Sequence, residues 1–244
     1  MKPSLLNYYL KLRRTRSHPA RSLRGMTLVE GLVAILIASA VTVLITPPMF
    51  LSVATRIQNQ RAEQATQLAT GQVDQVRVLM EQGITPETIE QLPALAGSGD
   101  LRAVPAPSSK FGQLQSTNFS CSDYDEAGAP QVPVEQALEV DVNGDCLVDF
   151  YLQSFRVNEQ VSDQDLESGE GGVPIVFGMG VRVYYRNAEI GGEGLEVEPA
   201  SLQLTSGQGQ QTRYPLAVIY TSLAQGDLDS SLQKYRCYLG ECTP

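Results

Sequence analysis

The chain opens polar and basic, turns apolar, and then adopts two successive periodicities. After Glu30 no ionisable side chain occurs before Arg56, so the 25 positions 31–55 carry no charge. About 20 apolar residues, at ~1.5 Å each, cross the hydrocarbon of a bilayer, and this run is long enough to do so. From Met49 to about Gln82 the pattern is amphipathic. Ala54, Ile57, Ala62, Ala65, Leu68, Ala69, Val73, Val76 and Met80 recur at three- and four-residue steps, while Gln58, Arg61, Gln64, Gln67, Asp74 and Arg77 fill much of the other face. Gly71 weakens this helix without breaking it, and Gly83 supplies a C-cap. A helix from Met26 to Gln82 would be about 57 residues and ~85 Å long. A domain of this size cannot bury all of it, so the front half is expected to protrude.

Beyond Gly83 the helical period is lost. Thr85-Pro86-Glu87 reads as a short helix start, with Thr85 as N-cap and Pro86 in the first turn, running to about Leu92. Pro93 to Asn118 is rich in Gly, Pro and Ser and reads as a loop with at most a weak strand. Strand patterns follow at Ala137–Val142, Leu147–Val157, Ile175–Arg186, Leu195–Val197, Ser201–Thr205 and Tyr214–Leu223. One long helix followed by consecutive strands predicts an α+β fold, with an antiparallel sheet packed on the helix's second half. The expected organisation is a basic leader over 1–25, a membrane-spanning half-helix over 26–48, an amphipathic half over 49–83 and a globular domain over 84–244.

Charge adds direction. Residues 1–25 hold seven cations, Lys2, Lys11, Arg13, Arg14, Arg16, Arg21 and Arg24, and no acid. Such residues stay cytoplasmic, so the chain after residue 31 is expected to run outward as a single-pass inner-membrane protein. A secretory signal is cut after small residues at the far end of its apolar region. Here the small residues Ala38-Ser39-Ala40 lie in the middle of the run. A carboxylate at the edge of a span costs free energy, on the order of 2.5–3.5 kcal/mol at mid-membrane and less near the surface. Glu30 therefore calls for a partner.

The order of basic leader, Gly25, Met26-Thr27-Leu28-Val29-Glu30 and uncharged helix resembles a type IV prepilin or pseudopilin. The resemblance implies cleavage between Gly25 and Met26 by a prepilin peptidase and N-methylation of Met26. It also implies pairing of Glu30 with the terminal amine of a neighbouring subunit. Opposite charges at that site would offset each other's desolvation. Many members begin the mature chain with Phe, where this chain has Met26. Pilin-like helices often carry a Pro late in the membrane segment, as Pro47-Pro48 does here. Proline removes a helical hydrogen bond, so a kink or local melting near 40–48 is expected. The leader, Gly25-Met26, Glu30-Gly31-Leu32-Val33 and Pro47-Pro48 look most like cyanobacterial members, including pseudopilins linked to hormogonium polysaccharide secretion. The implied function is a minor pilin or pseudopilin of a type IV pilus-like or type II secretion-like filament, serving polysaccharide secretion or gliding motility. Its implied partners are the peptidase, other pilin subunits and the inner membrane, with the filament as its later location.

Loss of the leader would take the formal charge from −9 to −16. So acidic an exported part disfavours nucleic acid. Cys121, Cys146, Cys237 and Cys242 all lie in it and read as two disulfides. Of three connectivities, short closure favours Cys121–Cys146 and Cys237–Cys242, the second stapling a C-terminal loop. Pilin-like proteins often have such a disulfide-bounded C-terminal region.

Asp141-Val142-Asn143-Gly144-Asp145-Cys146-Leu147-Val148-Asp149 offers side-chain oxygens at Asp141, Asn143, Asp145 and Asp149. That spacing resembles short extracellular calcium loops, which usually carry Gly where this chain has Cys146. The competing reading is a turn on Asn143-Gly144 with solvated acids. Calcium is the one cofactor the sequence raises. Gly-x-Ser-x-Gly, P-loop and dinucleotide signatures are missing, and His18 in the leader is the sole histidine, so no enzyme is expected. The alternative from another class is an anchored calcium-binding or adhesive domain that does not polymerise.

Overall fold

The structure, a computed structural model, describes residues 25, 27–85, 88–97, 99–121, 131–165, 172–192, 194–201, 210–226 and 231–241. The chain divides into two units, Met1–Phe50 and Leu51–Pro244. Helix α1 (Leu28–Gln82) begins in the first and supplies the opening element of the second. In the first unit its residues through Thr46 are exposed apart from the half-buried Gly31.

In the second unit α1 buries one stripe: Gln58, Ala62, Ala65, Ala69, Val73, Val76 and Met80. The stripe is mostly Ala and Val, which lets a sheet approach the helix axis closely. Of the apolar positions expected there, Ile57 lies outside the stripe at 42% exposure. Gly83, with φ of 87°, ends the helix in the left-handed conformation that costs glycine least.

Among the described residues six strands form one mixed sheet: β1 (Ala94–Leu95), β2 (Ser109–Ser116), β3 (Gln136–Asp141), β4 (Phe150–Asp165), β5 (Gly172–Tyr185) and β6 (Ala217–Ala224). The order is β2-β3-β4-β5-β6. β3 pairs β4 at Phe150–Leu152 and β1 pairs it at Phe155–Arg156, on the edge away from β5. Arg156 fastens this junction: its Nε donates to the Pro93 carbonyl at 2.8 Å, and its guanidinium pairs with Glu159.

The expected antiparallel sheet is corrected here. The pairs β3–β4, β4–β5 and β5–β6 are antiparallel, but β1–β4 and β2–β3 are parallel. Both parallel partners come from the stretch that reads as a loop. β1 is only two residues long, and β2 is polar and interrupted by Gly112, so neither carries a strong strand pattern. The expected helix after Thr85 is a single 3-10 turn, Ile89–Gln91, while Pro86 lies outside the described residues. Leu195–Val197 is not a strand. Leu195 packs on the Tyr184 cluster, and the Glu196 carbonyl accepts the Tyr184 hydroxyl at 2.9 Å. Of the segment Ser201–Thr205, only Ser201 is described.

The sheet is buried on both faces. Toward α1, Phe150, Leu152, Phe177, Met179, Val181, Val183 and Tyr185 pack on Ala65 to Met80. On the other face Tyr151 and Tyr184 form one cluster, and Phe155, Val157 and Val104 another. A strand covered on both sides reads as a near-continuous apolar run, which explains the legibility of β5. A helix α2 (Ser231–Tyr238), unforeseen in the sequence, rests on β4 and β5.

Arg182 lies in this second face with no exposed surface. A buried guanidinium needs acceptors for its N–H groups. Nε donates to Tyr220 Oη at 2.9 Å, Nη1 to the Pro105 carbonyl at 3.1 Å and Gln153 Oε1 at 3.2 Å, and Nη2 to the Leu101 carbonyl at 3.1 Å. It also stands 4.8 Å from the Phe155 ring centroid. Among the described residues no carboxylate pairs with it. The arginine thus ties residues 101–105 to the sheet through carbonyls and ring faces.

Phe155 fits because its neighbour on β5 is Gly180. A Cβ there would meet the ring at 2.4 Å. Gly180→Ala is therefore expected to lower unfolding free energy by about 2 kcal/mol, the scale of overpacking a filled core, measured by urea denaturation. Unchanged stability would show that the ring yields freely.

Candidate functional site

Two places gather the residues to which the sequence assigns roles. The first is the start of α1. Thr27 is the N-cap: its Oγ1 accepts the Glu30 N–H at 3.2 Å, and its carbonyl accepts the Gly31 N–H at 3.0 Å. Thr27-Leu28-Val29-Glu30 has the spacing of a capping box, with the acid at the third helical position. Glu30 is exposed in the first turn, where unpaired N–H groups favour negative charge. Among the described residues nothing donates to its carboxylate. Gly25 is exposed, and Met26, at the expected cleavage and methylation position, lies outside the described residues, as do residues 1–24.

The stretch Leu28–Thr46 has a mean hydropathy of 2.5 over 19 residues, and none of it is buried. It is long and apolar enough to cross a membrane. Its hydroxyls are satisfied internally: Ser39, Thr42 and Thr46 donate to the carbonyls of Ile35, Ala38 and Thr42 at 2.6, 2.8 and 2.6 Å. Such bonds remove the need for water around a polar group. The helix is continuous across Pro47 and Pro48.

The second place is the loop between β3 and β4. Asp141, at 1% exposure, is its hub. Its Oδ1 accepts the N–H groups of Asn143 and Gly144 at 3.1 and 2.7 Å. Its Oδ2 accepts Ser116 Oγ at 2.7 Å and the Cys146 N–H at 2.9 Å. Asn143 Oδ1 accepts the Asp145 N–H, Asp145 Oδ1 the Leu147 N–H and Asp149 Oδ2 the Val142 N–H. The four expected calcium ligands thus share one loop and are used by that loop's own backbone. Among the described residues no set of three or more His, Cys, Asp or Glu is arranged to hold a metal.

Cys146 takes a φ of 64°, the left-handed conformation in which glycine is usual at that position of the calcium-loop pattern. It is bonded to Cys121, as short closure favoured, with Cα atoms 5.1 Å apart. Cys237 is disulfide-bonded too and sits in the last turn of α2; Leu239 and Gly240 form a turn beyond the helix, and Cys242 lies outside the described residues.

The sequence reading missed the cap at Thr27 and the anchoring role of Asp141. Both signals were present: Thr-x-x-Glu before an apolar run, and an Asp followed by Asn-Gly. A scan of protein-family models and searches of curated proteins and solved structures found no match to this chain.

Burial pushes the Asp141 pKa up, but hydrogen bonds from Ser116, Gly144, Cys146 and Asn143 outweigh it and hold the carboxyl below its ordinary value of 3.8. A depressed folded pKa adds stability above the unfolded value, which is lost as pH falls through the folded one. The cover over Asp141 is one loop deep, so solvent screening keeps the contribution modest. Asp141→Asn should cost about 1 kcal/mol at pH 7 and flatten the loss of stability below about pH 4, read by urea denaturation at several pH values. An acid limb identical to wild type would contradict this.

Proposed function

We propose that the chain is a minor pilin or pseudopilin subunit, cut between Gly25 and Met26, methylated at Met26 and assembled through the first half of α1 into a filament. The observation that carries this reading is the head of α1. An acid that has no partner among the described residues stands five residues after Gly25, in the first turn of the 19-residue apolar stretch Leu28–Thr46, none of which is buried. An anchor needs the apolar stretch alone. The acid gains a use when a cleaved neighbour brings a terminal amine into low dielectric, where each charge relieves the other's desolvation.

In this reading prepilin peptidase, other pilin-like subunits and the inner membrane are the partners. The machine belongs to the type IV pilus-like or type II secretion-like class, and a cyanobacterial polysaccharide-secretion system is the finer assignment. The alternative of a non-polymerising calcium-binding or adhesive domain has less support, because the candidate ligands are engaged by backbone N–H groups of their own loop.

Glu30→Ala and Glu30→Gln should both insert in the membrane yet fall by about tenfold or more in filament fractions. That loss corresponds to about 1.4 kcal/mol or more of assembly free energy. Filament yield equal to wild type, at equal membrane levels, would reject the assembly role of Glu30.

A further inference from the structure

On the face of the sheet away from α1, beside the cluster of Phe155, Val157 and Val104, lies a cavity of about 290 Å³. That is roughly the volume of ten waters, at the lower end of the range for ligand pockets. Its floor is apolar: Val104 and Val157 are buried, and Ala96 and Val134 pack on them. Asp100 and Glu135 line it as exposed residues. Among the described residues no Lys or Arg lines the cavity, and neither acid forms an ion pair.

The walls are held in place before any ligand arrives. Asn158, in β4, takes the left-handed conformation at a φ of 52°, which Asn tolerates better than most residues, and the β4–β5 register shifts between Val157 and Gln160. So placed, its Oδ1 accepts the Gly99 N–H at 2.9 Å and its Nδ2 donates to the Gly99 carbonyl at 2.8 Å. Gln153, buried in the same strand, joins the other two walls: its Nε2 donates to the carbonyls of Pro105 at 3.0 Å and Val134 at 2.8 Å. The Glu135 carbonyl accepts the N–H groups of Ser108 and Ser109. Walls fixed in this way spare a ligand the free energy of ordering them.

We propose that this cavity binds a small aliphatic ammonium ion, with its hydrocarbon part on Val104, Val134 and Val157 and its charge at Asp100 and Glu135. Charge complementarity selects this occupant. An anion would meet two like charges, and an uncharged apolar ligand would leave both acids without a use. The chain beyond its leader does not supply the cation from elsewhere: every Lys and Arg after residue 25 is among the described residues, and none of them lines the cavity. The pocket lies in the second unit and owes nothing to Glu30 or to the apolar stretch.

The probe is n-pentylammonium, added to the full chain in non-ionic detergent with its valine methyl groups labelled for NMR. Saturable shifts are expected at Val104, Val134 and Val157, weakening as salt is added. Neutral pentanol should bind about tenfold more weakly, the scale of two solvent-screened charge contacts. The Asp100→Asn, Glu135→Gln double variant should lose about the same factor for pentylammonium and nothing for pentanol, with an unchanged melting temperature, because both carboxylates are exposed and form no ion pair. Ala103→Leu, at an exposed position that lines the cavity, should fill it and weaken both ligands. Absence of saturable shifts, equal affinity for pentanol and pentylammonium, or a double variant that binds pentylammonium as well as wild type overturns the proposal. Dissociation of a dimer of the chain by pentylammonium would assign the cavity to a side chain of a second copy and also overturn it.

Discussion

One helix must satisfy two different surroundings, and the remaining architecture follows from that requirement. From Ala62 to Met80, α1 offers a narrow stripe of small residues that a sheet can cover closely. From Leu28 to Thr46 it offers apolar surface on all sides, with hydroxyls returned to its own carbonyls. The first arrangement suits a protein core and the second a medium without water. Glu30 is the exception in the second stretch, and it stands where the helix's own N–H groups favour an anion.

The sheet under the stripe is stiffened by polar contacts as well as apolar ones. Arg182 is buried with no carboxylate partner among the described residues, and carbonyls, a glutamine oxygen, a tyrosine hydroxyl and the Phe155 ring surround it. Gly180 gives that ring its space. At the β3–β4 turn the same principle acts at smaller scale. Asp141 gathers three backbone N–H groups and the Ser116 hydroxyl, and the Cys121–Cys146 disulfide closes the neighbouring segment onto the turn. In both places a costly buried charge organises irregular backbone that apolar packing alone would leave without hydrogen bonds.

Pattern in the sequence was enough to find α1, Gly83 as its end, and β3 to β6: α1 buries one regular stripe, and β5, covered on both faces, reads as a near-continuous apolar run. It was insufficient for β1 and β2, whose pairing is set by partners distant in sequence, and this is why the sheet was expected to be antiparallel. α2 escaped because its apolar residues Leu232 and Tyr235 remain exposed, so no buried stripe marks it. The Asp141 loop was legible as a cluster of oxygens, but its hydrogen-bond economy was not. Ligand-like spacing and a self-capped turn draw on the same residues, and only the direction of the backbone N–H groups separates them. At the helix head the motif reading rested on Gly25, Met26 and Glu30, while Thr27, the residue that caps Glu30, carried a second meaning in the same four letters.

The assembly account depends on a free amine appearing at Met26 of a neighbouring subunit, four positions before that subunit's own Glu30. The mass of the mature amino-terminal peptide tests that most directly. The account predicts a chain beginning at N-methylated Met26, with residues 1–25 removed. A chain retaining its leader would contradict it, because no amine would then lie at residue 26, and so would one beginning after Ala40, which would lack Glu30 itself.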